Sequence, residues 1–133
     1  MRVVDTSVVV AGFASWHEKH EAARRVLDGR PRLVDHCALE VYSVLTRLPP
    51  PHRAAGGVVR DFLAARFPQP YLRLAAKSQR TFVLSLPNAG VVGGAVYDAL
   101  IAATVAECGG ELTTCDRRAL PTYERFGIPV VEV

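Results

Sequence analysis

Apolar and polar positions along this chain follow two different periods, which predict strands alternating with helices. Short, mostly apolar segments fit buried strands, because they are too brief to form helices. We predict such strands at Val3-Val4, Leu33-Val34, Tyr71–Leu74, Glu111–Thr114 and Val130-Val131. The alternation favours a βαβ plan, so the expected fold class is α/β, with a short, mostly parallel sheet flanked by helices.

The segments between these strands have helical periodicity. They are a helix capped by Thr6-Ser7 and running through Phe13, then His17–Leu27, Cys37–Leu48, His52–Phe67, Lys77–Leu86, Ala95–Cys108 and Arg117–Phe126. In Lys77–Leu86, the side chains expected to face inward are Phe82, Val83 and Leu86. The four residues that follow, Pro87 to Gly90, are expected to form a loop.

The helix Ala95–Cys108 is apolar on almost every side, which is typical of a buried helix. Its first turns carry one acid, Asp98. A buried carboxylate without a partner costs several kcal/mol, so Asp98 should have a cation, a set of donors or the helix N-terminus beside it. Aspartate is also common as a helix cap, and at Asp98 alone the two interpretations are both open.

Three further acids stand in similar positions. Asp5 and Asp116 follow predicted strands, and Glu40 lies near the start of an otherwise apolar helix. Each could be a simple cap. In a parallel sheet, however, the carboxyl ends of the strands meet at one edge, where functional groups collect. Four carboxylates at one edge would repel each other, and a hard divalent cation such as Mg²⁺ or Mn²⁺ would compensate their charge.

Composition limits the alternatives. The 133 residues are predicted to form one domain, 1–133, and the net charge of +3 with a pI near 9.0 permits a nucleic-acid partner without requiring one. The three cysteines lack the spacing of a metal site or a disulfide framework, so we expect reduced thiols in a cytoplasmic protein. No segment is predicted to be a signal peptide or to span a membrane.

Four segments together resemble the PIN-domain family, and in particular the VapC-type ribonuclease toxins of bacterial toxin–antitoxin pairs. They are VVDTSVVV at Val3–Val10, ALEVYSVLTRLP at Ala38–Pro49, GGAVYDALIAATVAE at Gly93–Glu107 and LTTCDRR at Leu112–Arg118. The resemblance extends over nearly the whole chain. It implies a PIN-like three-layer fold and a metal-dependent endoribonuclease, the toxin component of a type II pair.

The resemblance also implies residue roles and partners. The acidic pocket, which would hold Mg²⁺ or Mn²⁺, would consist of Asp5, Glu40, Asp98 and Asp116. Polar side chains expected near the pocket are Thr6, Ser7 and Thr114. The implied partners are the RNA substrate and a small antitoxin, whose apolar segment would lie along a groove while its basic side chain enters the pocket.

The expected chemistry is hydrolysis of RNA phosphodiester bonds. Our candidates for contacts to RNA phosphates are Arg47, Arg117 and Arg118. Two other classes remain open. A phosphohydrolase of the haloacid-dehalogenase type also has an aspartate after its first strand, but it would need a second one where this chain has Ser7. A non-catalytic module could use an acidic pocket to bind a partner protein.

Apolar helix surface also predicts self-association. The helices around Val8–Phe13, Leu39–Leu48 and Val58–Leu63 carry more apolar surface than one small sheet can cover. A homodimer is the usual solution, unless all three helix faces pack internally.

Overall fold

Four short strands form one sheet at the centre of the fold, in a computed structural model that describes residues 1–133. In chain order they are β1 (Arg2–Val4), β2 (Arg32–Leu33), β3 (Glu111–Thr114) and β4 (Val130–Glu132). They lie in the order β2-β1-β3-β4 and every pair is parallel. The predicted α/β class with a parallel sheet is therefore confirmed.

Seven α-helices and one 3-10 turn connect the strands. The helices are α1 (Thr6–Phe13), α2 (His20–Asp28), α3 (Asp35–Arg47), α4 (Gly56–Arg66), α5 (Ala76–Ala89), α6 (Ala95–Cys108) and α7 (Leu120–Arg125), with the 3-10 turn at Arg117–Ala119 before α7. The bounds of α6 and β3 agree with the prediction. Gly93-Gly94 precedes α6, and Gly109-Gly110 separates α6 from β3.

A core of 24 buried residues packs these elements together. Val3 and Val4 of β1 are fully buried, as are Val8 and Val9 of α1. Helix α6 contributes one face rather than its whole surface, since Ala99, Ala102 and Val105 are buried while Ala106 and Tyr97 are exposed. The expectation of a helix buried on all sides is wrong in that respect.

Two predicted elements differ from the structure near the strands. Residues Tyr71–Leu74 do not form a strand; only Leu72 forms a single parallel bridge, with Val34. The prolines at 68 and 70 explain this, because proline supplies no N–H to a ladder. The cap of α1 is Asp5 rather than Thr6-Ser7, and its carboxylate accepts the backbone N–H of Ser7 and Val8.

Helix α5 departs furthest from the prediction. It continues to Ala89 through Pro87, so the expected loop at Pro87–Gly90 is absent, and Gly90 ends the helix in the left-handed conformation at φ 67°. No residue of α5 is buried, and Val83, which we expected to face inward, is exposed. Of the three side chains expected to face inward, Phe82 and Leu86 are half-buried, because α5 packs against α6 over only part of its surface.

The three apolar helix faces behave differently from each other. The face of α1 is buried within the chain, whereas Leu39 and Tyr42 of α3 and Val58 of α4 are exposed. The predicted surplus of apolar surface is therefore absent from α1 and present on α3 and α4. In addition, no helix in this fold is of the length and hydropathy needed to cross a bilayer.

Candidate active site

The order of the strands places two predicted acids at one edge of the sheet. From β1 the chain passes to β2 on one side, whereas β3 pairs with β1 on the other side. This reversal is the position at which open α/β sheets form a crevice beyond the carboxyl ends of their strands. Asp5 follows β1 directly, and Asp116 lies two residues beyond β3.

Asp5 is the most enclosed of the four acids, with 3% of its surface exposed. Its Oδ1 accepts hydrogen bonds from the Ser7 backbone (3.0 Å), the Ser7 hydroxyl (2.5 Å) and the Val8 backbone (3.4 Å). Its Oδ2 accepts from Thr114 Oγ1 (2.5 Å) and Tyr123 Oη (2.9 Å). Burial raises the pKa of Asp5, and these hydrogen bonds oppose the rise.

Ser7, in the first turn of α1, and Thr114, at the end of β3, link these two elements beside Asp5. The Ser7 hydroxyl accepts the backbone N–H of Cys115 at 2.8 Å, and Thr114 Oγ1 accepts the backbone N–H of Asp116 at 2.9 Å. The loop that carries Asp116 is thus fixed to the same hydroxyls that donate to Asp5. Thr6 takes no part in this network, since its buried hydroxyl has no hydrogen-bond partner. The structure does not bring Thr6 into the group.

Asp98 lies in the first turn of α6 and is half-buried. Burial raises its pKa, and so does the negative charge of Asp116, with smaller contributions from Asp5 and Glu40. The positive charge of Arg118 acts in the opposite direction. The four acids are therefore close enough for their charges to interact, although they come from four separate parts of the chain.

Glu40 lies in the second turn of α3 rather than the first, because the helix begins two residues earlier than predicted, at Asp35. One turn before it, His36 places its Nε2 at 3.5 Å from Glu40 Oε2. The His36 ring stacks on the Tyr97 ring of α6, with centroids 4.8 Å apart and planes 4° from parallel. This stack joins the helix of Glu40 to the helix of Asp98.

The chemistry of this set of donors fits a divalent cation. Carboxylate oxygens are the ligands that Mg²⁺ and Mn²⁺ prefer, and burial together with the charges of Asp116, Asp5 and Glu40 raises the pKa of Asp98. However, no three His, Cys, Asp or Glu side chains stand close enough together to surround an ion. Binding a cation therefore requires the half-buried carboxylates of Glu40, Asp98 and Asp116 to turn toward each other.

The three candidate arginines have different surroundings. Arg118 Nη2 lies 3.4 Å from Asp116 Oδ2, beside the acids. Arg117 points instead to Glu132 of β4, at 2.5 Å. Arg47 lies in the last turn of α3, about 10 Å along the helix axis from Glu40, and donates to Ser43. Only Arg118 is brought to the acidic group.

Two side chains at the site, Tyr123 and His36, were not predicted from the sequence. Tyr123 lies in a segment that we predicted only as a helical turn, and nothing in the sequence indicates that its hydroxyl reaches Asp5. His36 could have been found, because residues four apart on a helix lie on the same face, and His36 and Glu40 have that spacing.

Two grooves lie near the acids. One of about 650 Å³ runs past Ser7 and Asp116 toward His17 and Lys19. The other, of about 720 Å³, lies between α3 and α4 and is mostly apolar; among its lining residues are Asp35 and Leu39, the second of which is next to Glu40. The acidic group is thus adjacent to one polar and one apolar groove.

Comparison with known proteins decides the family. The sequence matches the profile of the PIN domain over residues 2–125, nearly the full chain. This chain belongs to the PIN-domain family. The PIN-domain assignment confirms the resemblance that the four sequence segments suggested.

Two relatives from Mycobacterium tuberculosis are named as ribonucleases. Ribonuclease VapC40 is 52% identical over 126 residues, which cover 95% of this chain and 94% of the relative; the same values are found for this protein in strains CDC 1551 / Oshkosh and H37Rv. Ribonuclease VapC27 of strain H37Rv is 40% identical over 129 residues, which cover 96% and 93% of the two chains. At this coverage, the likeness applies to the PIN domain as a whole.

Proposed function

We propose that this chain is a metal-dependent endoribonuclease, the toxin component of a type II toxin–antitoxin pair, that acts in the cytoplasm as a single PIN-like domain spanning 1–133. The observation that carries the proposal is the convergence of four carboxylates at the switch point of the sheet, where burial raises the pKa of Asp98 and the charges of Asp116, Asp5 and Glu40 raise it further. Its family and the names of its relatives support the same activity.

In this proposal, the four acids have unequal roles. Asp5 is fixed by five hydrogen bonds and forms the rigid base of the pocket. Asp98, Glu40 and Asp116 are more exposed and complete the set of ligands around Mg²⁺ or Mn²⁺. A bound divalent cation supplies an activated water and stabilises negative charge on the scissile phosphate.

Ser7 and Thr114 hold the pocket together from α1 and β3, and Arg118 is placed to contact an RNA phosphate. Arginine can donate two parallel hydrogen bonds to phosphate oxygens, and Arg118 has 88% of its side chain exposed, so it can reach a strand outside the pocket. RNA would follow the groove beside Ser7 and Asp116, where His17 and Lys19 add polar donors.

A cleavage assay with purified protein tests the proposal. A mixed RNA pool should be cut with Mg²⁺ or Mn²⁺ and left intact with a chelator, and Asp98→Asn should lower the rate about 100-fold or more. Intact RNA under every condition would favour the acidic-pocket binding module. Release of phosphate from small phosphoesters, with no cut RNA, would favour the phosphohydrolase.

The apolar groove between α3 and α4 fits the antitoxin. Its lining includes Ala38, Leu39, Tyr42 and Leu63, and Leu39 has 75% of its surface exposed. An apolar segment in this groove would end one residue from Glu40, so a basic side chain of the partner could enter the acidic pocket and replace the cation. Leu39→Asp should then abolish co-purification with a co-expressed antitoxin, and retained binding would place the antitoxin elsewhere.

A homodimer is the second assembly that we propose, in this case through α5. This helix buries none of its residues, and Val83 and Leu84 on it are 53% and 64% exposed. An exposed apolar helix face of this kind is typical of a surface that pairs with its own copy around a two-fold axis.

A further inference from the structure

We infer that Tyr123 is a positioning residue for Asp5: its phenol holds one oxygen of that carboxylate, so that the other oxygen faces the cation in a single orientation. The inference rests on the proposed metal-dependent activity and assigns a role to a side chain on α7 that the pocket chemistry alone does not require.

The two oxygens of Asp5 are held differently. Oδ2 accepts from Thr114 Oγ1 at 2.5 Å and from Tyr123 Oη at 2.9 Å. A carboxylate oxygen has about two lone-pair directions, so two donors leave none for a cation. Asp5 and Tyr123 are 3% and 1% exposed, so water cannot readily replace either donor. Oδ2 therefore has no free lone pair with which to bind a cation.

Oδ1 can be opened. Two of its three donors are backbone N–H groups, which are fixed at the start of α1. The third is the Ser7 hydroxyl, which also lies 3.3 Å from Thr114 Oγ1. A hydroxyl rotates to suit its partners, so the Ser7 proton can turn to Thr114. The Val8 N–H lies 3.4 Å from Oδ1, which is long for a hydrogen bond, so the Ser7 backbone N–H is then the one close donor and a lone pair of Oδ1 is left for the cation. Asp5 then binds through one oxygen while Tyr123 and Thr114 keep the other in place.

Tyr123 is suited to this role because its ring is anchored in the core. A buried phenol needs a hydrogen-bond partner, and here the partner is Asp5. A phenol keeps its proton at neutral pH, so the Tyr123 hydroxyl remains a donor to Asp5. The contact joins residues 118 apart in sequence, so it also fixes α7 against the end of β1.

The test variant is Tyr123→Phe, which keeps the ring and removes only the hydroxyl. Thermal unfolding of the purified protein titrated with MnCl₂ gives the half-saturating Mn²⁺ concentration. We expect this concentration to rise about tenfold, as is typical when a partner of a metal ligand is lost. In steady-state cleavage of a fixed RNA, kcat should fall while KM for RNA stays within about twofold, because Tyr123 touches no part of the substrate.

The matched control is Thr104→Val, which removes another buried hydroxyl, one that donates to the Leu100 carbonyl within α6, and should leave the Mn²⁺ midpoint unchanged. A lower melting temperature of metal-free Tyr123→Phe with an unaltered Mn²⁺ midpoint would make Tyr123 a purely structural residue and overturn the inference. Thr114→Val, which removes the other donor to Oδ2, should raise the midpoint too and serves if Tyr123→Phe does not fold. If the wild-type protein shows no Mn²⁺-dependent shift, the proposed function and this inference are both wrong.

Discussion

At the scale of single residues, Asp5 and Asp98 have the same side chain in two different settings. Burial raises the pKa of each, but only Asp5 has a full set of donors around it. Asp98 instead faces other carboxylates, with Arg118 as the nearby positive charge. The metal-free pocket is therefore rigid at Asp5 and electrostatically strained at Asp98, which is a suitable arrangement for an acid that must accept a cation.

The strain at Asp98 predicts a pH dependence of stability. Because the pKa of Asp98 is raised above 3.8 in the folded protein, the folded chain holds a proton that the unfolded chain releases, and stability falls as pH rises through the interval between the two pKa values. Asp98→Asn has no titrating carboxyl at this position, so it should not lose stability in this way as pH rises. In chelator, the variant should melt close to the wild type near pH 4 and above it at pH 7. Melting curves across this range measure the difference, and a gap that does not change with pH would contradict the prediction.

The arginines give a second prediction at this scale. Only Arg118 lies beside the acids, so Arg118→Gln should lower kcat/KM for RNA about tenfold, equivalent to about 1.4 kcal/mol. Arg24→Gln, on the outer surface of α2 and paired with Glu21, is the matched control and should change kcat/KM less than twofold. Equal effects of the two substitutions would mean that the arginines act only through net charge.

At the scale of elements, local signals fixed some boundaries and not others. The glycines around α6 determine where it begins and ends, and its bounds were predicted from them. Helix α5 was predicted too short because Pro87 was taken as its end. Proline removes one helical hydrogen bond and disfavours the conformation before it, but near a C-terminus that loss is small, and the chain continued to Gly90.

The glycines of α6 allow a paired prediction. Gly109 ends the helix at φ 72°, where a Cβ meets no atom within 4 Å but strains the backbone, so Gly109→Ala should destabilise the protein by about 1 kcal/mol. Gly94 has right-handed helical angles and equally open space, so Gly94→Ala should stabilise it by about 0.4–1 kcal/mol. Urea unfolding of both variants measures the two free energies, and shifts of the same sign would refute the explanation by backbone conformation.

At the scale of the whole molecule, exposed apolar surface is the feature that the isolated chain leaves unexplained. Among the exposed apolar side chains are Val83 and Leu84 on α5, and Leu39 and Tyr42 along the groove between α3 and α4, which is a separate place. Two partners, a second copy and an antitoxin, would account for both.

Sedimentation tests whether the dimer forms through α5, and not through the surface of α4. The wild-type protein should be a dimer at micromolar concentration, and Leu84→Glu on α5 should give a monomer, because two buried charges would face each other across a two-fold axis. Val58→Glu on α4 is the matched control, equally exposed and apolar, and should remain a dimer. A wild-type monomer would exclude the dimer, and dissociation by Val58→Glu alone would move the interface to α4.

The sequence by itself determined the alternation of strands and helices and the four acids as candidates, because hydrophobic period, glycine stops and isolated carboxylates in apolar segments are local properties of the chain. The family, too, was indicated by the sequence alone, through the resemblance of four segments. Only the tertiary structure decided how these acids differ. Two of the five hydrogen bonds to Asp5, those from Thr114 and Tyr123, come from distant segments, and so do the Asp116 charge near Asp98 and the Tyr97 ring beside His36. Such contacts depend on the order of the strands and the packing of α6 and α7, which no short-range pattern of residues specifies.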